Sequence, residues 1–106
     1  MPLREQPLIY VPVPALAEFR FGVLQSTQYT AMQTWMAKAL ATTEILSVND
    51  ESTHFYAAIR LELKMSGTPI PMNDLWIAAI ARQHRFPILS RNTHFDVIKK
   101  QQRISW

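Results

Sequence analysis

The stretch Ile70-Pro71-Met72-Asn73-Asp74-Leu75-Trp76-Ile77-Ala78-Ala79 sets a proline, an amide and a carboxylate ahead of an Ala-rich apolar segment. Proline is tolerated at a helix entry, because the N–H it lacks is one that the first turn leaves unbonded anyway. The spacing predicts a helix opened by Pro71 to Asp74 and running from Leu75 to about His84, with Trp76, Ile77 and Ile80 apolar. Asp74 then has two readings. An acid in a first turn is stabilised by the helix dipole by roughly 0.3–1 kcal/mol. The same position aims a carboxylate at the carboxyl end of a sheet, where ligands bind in open α/β folds.

Downstream of this helix, Phe86-Pro87-Ile88-Leu89-Ser90 reads as a strand and Arg91-Asn92-Thr93-His94 as a polar loop. Phe95 to Ile98 reads as a helical turn and Arg103-Ile104-Ser105 as a last short strand. Upstream, Gly67 and Pro69 close a helix over about Glu51 to Met65 that Asn49-Asp50 caps, with Phe55, Ala58, Ile59 and Leu63 as its apolar stripe. Ile45 to Val48 reads as a strand. Ser26-Thr27 announces a helix over about Gln28 to Ala41, and Pro14 opens one that reaches about Gln25. Residues 8–13, Leu-Ile-Tyr-Val-Pro-Val, read as a short strand, with Pro12 favouring an edge or a strand end. Strands alternating with helices imply an α/β chain whose parallel sheet is covered by helices, and 106 residues imply a single domain.

Several chemistries are excluded by what the chain lacks. It has no cysteine, so disulfide scaffolds, thiol catalysis and cysteine-ligated zinc are ruled out. Gly22 and Gly67 are its only glycines, too few for a phosphate-cradling loop or a G-x-S-x-G nucleophile turn. His54, His84 and His94 show no metal-ligand spacing; His84 reads as a helix C-terminal cation, the others as surface or packing residues. No apolar run approaches the ~18–20 residues of a membrane span, and Met1-Pro2-Leu3-Arg4-Glu5 does not open a secretory signal. A cytoplasmic protein without membrane association is the expectation.

The net charge of +3 is unevenly placed. Arg82, Arg85, Arg91, Lys99, Lys100 and Arg103 lie between 75 and 106 against a single acid, Asp96. Such clustering is the footprint of a nucleic-acid or acidic partner, or simply a solvated basic face. Of the eight acids, Glu5, Glu44, Glu51 and Glu62 read as surface residues and Asp50 as a cap. Glu18 sits in Ala15-Leu16-Ala17-Glu18-Phe19, an apolar setting in which a carboxylate needs a cation, a metal or donors unless its stripe faces water. Asp96 follows the third strand, where loops carry function, and reads equally as a cap or turn residue.

These residues, taken in order, resemble the PIN domain family, in particular its VapC-type ribonuclease toxins. The segment Ile70 to Ala79 resembles the family's third acidic motif. Leu16-Ala17-Glu18-Phe19-Arg20-Phe21-Gly22 looks like the second, and Ile88-Leu89-Ser90-Arg91-Asn92-Thr93-His94-Phe95 like the strand and loop of the fourth. The resemblance covers the chain from Ile9 onward. It implies a three-layer α/β/α fold around a parallel sheet, with acids at one end of the sheet holding Mg²⁺ or Mn²⁺ for hydrolysis of RNA phosphodiesters by a metal-activated water. It further implies a cognate antitoxin protein as partner and a homodimer.

By position, Glu18 and Asp74 are then the metal-site acids. Asn92 stands where many relatives have an Asp and would ligate weakly; Asp96 would substitute from the same loop, and Ser90 would hydrogen-bond a metal-bound water. Arg82, Arg85, Arg91, Lys99 and Lys100 would hold the RNA backbone. One part of the family pattern has no counterpart: the opening strand with its metal-binding Asp, and the helix that follows. The expected fold is therefore PIN-like but short of that strand, helix and acid. A partner chain could supply the acid. The alternative function is a catalytically inactive PIN module that binds a partner protein or RNA.

Overall fold

The computed structural model describes residues 9–90 and 92–105. It divides into two units at Leu46 and Ser47. The first contains β1 (Ile9–Pro12), α1 (Val13–Gln25), α2 (Tyr29–Leu40) and β2 (Thr43–Leu46). β1 and β2 pair in parallel, with Ile9 opposite Thr43 and Pro12 opposite Leu46. Pro12 stands at the strand end and is also the N-cap of α1, and Pro14 falls in that helix's first turn, where a missing N–H costs nothing. The rings of Phe19 and Trp35 meet at 5.8 Å between α1 and α2. Val23 and Met36 are buried.

β2 begins two residues earlier than the run Ile45 to Val48 suggests. The Thr43 hydroxyl donates to the Ala39 carbonyl at 2.7 Å, which draws residue 43 in directly behind α2 and starts the pairing there. Val48 is left in the connection that leads to the next helix. Ser26 contributes differently from a helix cap: its hydroxyl accepts the Gln28 N–H at 2.9 Å, and α2 starts at Tyr29 with Gln28 as an N-cap that makes no side-chain bond.

The second unit contains α3 (Asp50–Ser66), α4 (Met72–His84), β3 (Ile88–Leu89), a 3-10 turn (Thr93–Val97) and β4 (Arg103–Ile104). Asn49 caps α3 reciprocally with Ser52. Its Oδ1 accepts the Ser52 N–H, and the Ser52 hydroxyl accepts the Asn49 N–H, both at 3.0 Å. Gly67 ends the helix with φ of 72°, the left-handed conformation that glycine adopts without a Cβ penalty. The buried line along α3 is Ser52, Ile59 and Leu63, whereas Ala58 is exposed. The stripe is rotated because the Ser52 hydroxyl, 2.5 Å from Gln83 Oε1, turns that face towards α4.

α4 presents Leu75, Ala78 and Ala81 to Ile59 and Leu63 of α3, and Ile88, Phe95 and Ile98 complete the core. Ala78 and Ala79 are fully buried, and their small side chains let neighbouring elements approach closely. Tyr56 and Trp76 stack at 4.1 Å beside this core. β3 and β4 pair in parallel, with Ile88 opposite Arg103. Each unit thus carries the parallel pairing expected of an α/β fold. Among the described residues no helix is long and apolar enough to cross a membrane.

Candidate active site

Asp74 occupies the third position of α4, in the first turn, and is only 7% exposed. A carboxylate this buried must be compensated. Its Oδ2 accepts a hydrogen bond from Asn92 Nδ2 at 3.2 Å and lies 2.9 Å from His94 Nδ1. Its Oδ1 accepts none from the described residues. The exposed N–H groups and dipole of the α4 terminus favour the negative charge.

The loop that supplies these donors is itself anchored. The Ser90 N–H bonds the Ile104 carbonyl, which extends the β3–β4 pairing by one step. The Ser90 hydroxyl accepts the Asn92 N–H at 2.9 Å, and Asn92 Oδ1 accepts the His94 N–H at 2.9 Å. Phe95 then drives the 3-10 turn into the core, at 2% exposed. Asp74 therefore meets Asn92 and His94 at the carboxyl end of the β3–β4 pair, the end at which open α/β folds bind ligands. One residue before Asp74, Asn73 buries an amide Nδ2 that has no partner among the described residues.

The other residues singled out in the sequence are distributed as follows. Glu18 lies on α1 in the first unit and is exposed. Asp96 does not reach towards Asp74. Arg103 donates to it twice, Nε to Oδ1 at 2.7 Å and Nη2 to Oδ2 at 3.0 Å, while Arg103 Nη1 bonds the Ser90 carbonyl at 2.9 Å. The guanidinium holds the Asp96 carboxyl below the usual carboxylate range, with desolvation opposing, and the Arg103 pKa is raised in turn. Both ends of the Asn92 amide are engaged, one on Asp74 and one on the His94 backbone, and the Ser90 hydroxyl is occupied as acceptor.

The expected RNA-binding residues also divide. Arg82 forms a two-pronged pair with Glu62, at 3.0 and 3.2 Å, and donates to the Lys99 carbonyl. That hydrogen bonding holds the Glu62 carboxyl low against the opposing effect of burial. Arg82, Arg85, Lys99 and Lys100 line an open cleft of about 810 Å³ with Phe55 and Phe86. Arg85 and Lys100, with φ of 61° and 64°, are the non-glycine residues of left-handed backbone among those described. Phe86, Pro87, Gln101 and Gln102 of this cleft precede β3 and β4, so it opens at the amino end of the pair. At about 1.5 Å per residue, Arg85 is roughly 16 Å along α4 from Asp74. Arg91 lies outside the described residues.

The donor set at Asp74 suits a hard divalent cation: a carboxylate with one oxygen restrained by N–H donors and the other without a donor among the described residues. Within this unit no third His, Cys, Asp or Glu among the described residues joins Asp74 and His94 in a metal-sized group. His94 is the residue that sequence reasoning missed. The sequence signalled only the turn: an Asn at 92 bonds its own backbone two residues on, which does not say that the His94 ring turns towards Asp74.

A helix opened by a buried Asp, packed beside a parallel strand pair whose loop returns to that Asp, brings together the two segments that resemble the third and fourth motifs of PIN domains. Residues 2–101 match that family, and the chain belongs to it. Its relatives are of the VapC type. Ribonuclease VapC5 of Mycobacterium tuberculosis is 35% identical over 88 residues, 81% of this chain and 65% of that protein. Ribonuclease VapC4 of the same organism is 30% identical over 91 residues, 80% of this chain and 67% of that protein. The chain thus spans about two thirds of the length of the curated relatives it matches. Among solved structures, VapBC2 from Rickettsia felis, bound to a DNA fragment from its promoter, has a TM-score of 0.86 at 28% identity, covering 98% of this chain and 79% of that one. VapBC-5 from Mycobacterium tuberculosis, of a toxin–antitoxin family, has a TM-score of 0.77 at 31% identity, covering 90% and 79%.

Proposed function

We propose that this protein is a metal-dependent endoribonuclease, the toxin of a toxin–antitoxin pair, that hydrolyses RNA phosphodiesters in the cytoplasm. The observation that carries the reading is the buried Asp74 carboxylate, restrained on one oxygen at the carboxyl end of the β3–β4 pair, in a chain related to VapC ribonucleases. Asp74 would hold the Mg²⁺ or Mn²⁺, and Glu18, by its place in the segment that resembles the second motif, is proposed as a further metal acid. When bound, the cation supplies an activated water and offsets the charge that develops on the phosphodiester oxygens. Asn92 acts on the site through Asp74, to which its amide donates, and its oxygen, which accepts one N–H, keeps a lone pair for weak ligation. Asp96, paired to Arg103, steadies the loop. Arg85, Lys99 and Lys100 hold a stretch of RNA backbone away from the reacting phosphate.

The protein partners in this reading are a cognate antitoxin and a second copy of the chain. The test is RNA cleavage by the purified protein with Mg²⁺ or Mn²⁺, with chelator, and as D74N. Cleavage that needs metal and is abolished in D74N is expected; cleavage indifferent to both refutes the proposal. One observation favours a second reading. Asp96 is committed to Arg103, and Asn92 brings no charge, so among the described residues of this unit Asp74 is the one carboxylate at the site that a cation would meet. A non-catalytic module would bind its protein or RNA partner without metal and turn nothing over.

A further inference from the structure

His94 lies in the segment that resembles the family's fourth motif, where sequence reasoning assigned it no role, yet its ring makes the shorter of the two contacts to Asp74, 2.9 Å against 3.2 Å for Asn92. An ionised carboxylate only accepts hydrogen bonds, so the ring nitrogen that faces it carries the proton: Nδ1–H donates. Both donors converge on the same oxygen, Oδ2. They are also joined to each other, because Asn92 Oδ1 accepts the His94 backbone N–H, and the Ser90 hydroxyl fixes the Asn92 N–H in turn. The His94 side chain is 51% exposed and that of Asp74 11%, so the contact joins a half-exposed ring to a buried carboxylate.

We infer that His94, together with Asn92, clamps Asp74 so that it offers a divalent cation one oxygen, Oδ1, rather than both. This rests on Asp74 being a metal-site acid. The consequence is selectivity. Ca²⁺ readily takes both oxygens of a carboxylate at about 2.3–2.6 Å, whereas Mg²⁺ demands octahedral geometry at about 2.0–2.1 Å and is served by single oxygens and waters. A carboxylate that has Oδ2 occupied by two N–H donors disfavours the two-oxygen mode. His94 is therefore a positioning residue that tilts the site towards small octahedral cations.

The test is equilibrium binding of Mn²⁺, read by the electron paramagnetic resonance of the free ion, with Ca²⁺ as competitor, on the full chain as wild type, D74N, H94F and H94N. Loss of an outer hydrogen-bond partner typically weakens metal binding by about 10–100-fold. H94F is expected to lose Mn²⁺ affinity in that range and to lose Ca²⁺ affinity by a smaller factor. H94N, whose amide places a donor where Nδ1 stands, restores most of the Mn²⁺ affinity. His94 is half-exposed, so these variants keep the fold, and H94A serves as a second truncation. H94F and H94A that bind Mn²⁺ as the wild type does, or that lose both ions in equal measure, overturn the clamp while leaving Asp74 as a metal acid. Wild type that binds Mn²⁺ no better than D74N overturns the metal reading and the clamp with it.

Discussion

Phe95 makes the physical claim about this site easiest to measure. It is 2% exposed and packs in the core with Ile59, Leu63, Leu75, Ala78, Ala81, Ile88 and Ile98. A buried phenylalanine covers about 150–250 Å², which at ~25 cal/mol/Å² corresponds to roughly 4–6 kcal/mol of transfer free energy. Alanine retains part of that, and the vacated space adds a cavity cost, so F95A is expected to lose about 3–5 kcal/mol. A domain of this size has about 5–15 kcal/mol in all. In urea, with a slope of about 2 kcal/mol/M, the midpoint falls by roughly 1.5–2.5 M at unchanged slope, while F95L falls by roughly 1.5 kcal/mol or less. The turn that Phe95 anchors also carries Asn92 and His94, so folded F95A binds Mn²⁺ more weakly although no atom of the ring is bonded to Asp74. A stability loss under about 1 kcal/mol, the size of an ordinary surface change, would refute the idea that the core ring positions the loop.

Other outcomes follow from the same structure. Asp96 titrates below its ordinary value when folded, so its pairing with Arg103 stabilises the protein above the unfolded carboxylate pKa near ~3.9 and is lost as pH falls through the lower folded value. D96N should therefore be less stable than wild type at neutral pH, with the gap closing on acid titration followed by circular dichroism; a gap of equal size at both ends contradicts the pairing. N49A should cost α3 its reciprocal cap, about 1 kcal/mol by urea denaturation, and an unchanged midpoint would dismiss the cap as a contributor. Reversing the charge of Lys99 and Lys100 together should weaken RNA binding and flatten its salt dependence by roughly 0.7 in log–log slope for each phosphate no longer held. Mn²⁺ affinity should be unaffected, because the cleft lies at the other end of α4; a salt slope that does not move would show that no phosphate is held there.

Most of the fold could be read in the sequence because its punctuation is local. Pro14, Asn49, Gly67 and the Pro71–Asp74 entry each act within one turn of their own position, although α4 starts at Met72 rather than Leu75 because Pro71 itself is the N-cap. The errors came where a longer-range interaction decided. The Thr43 hydroxyl moved the start of β2, and the bond between Ser52 and Gln83 rotated the buried line of α3. At the site, the position of Asp74 was legible because helix entry and chemistry coincide there. His94 was not legible as its partner, since nothing in composition says which side chain of a polar loop turns inward. Charge clustering identified the basic residues without saying which end of the strand pair they occupy, because charge is counted along the chain and the ends are set by topology.

Arg85 and Lys100 carry a consequence of another kind. Left-handed backbone costs a residue with a Cβ roughly 1–2 kcal/mol, and after allowing for glycine's greater freedom when unfolded, glycine at either position would gain up to about 1 kcal/mol. Both residues border the same basic cleft. A selection scheme that rewards robustness alone would thus converge on R85G and K100G and, in the same two steps, strip that cleft of half its four cations. Thermal screening of variants of this chain should be run against a ligand-dependent readout, or it will enrich for sturdier proteins that have given up what the cleft holds.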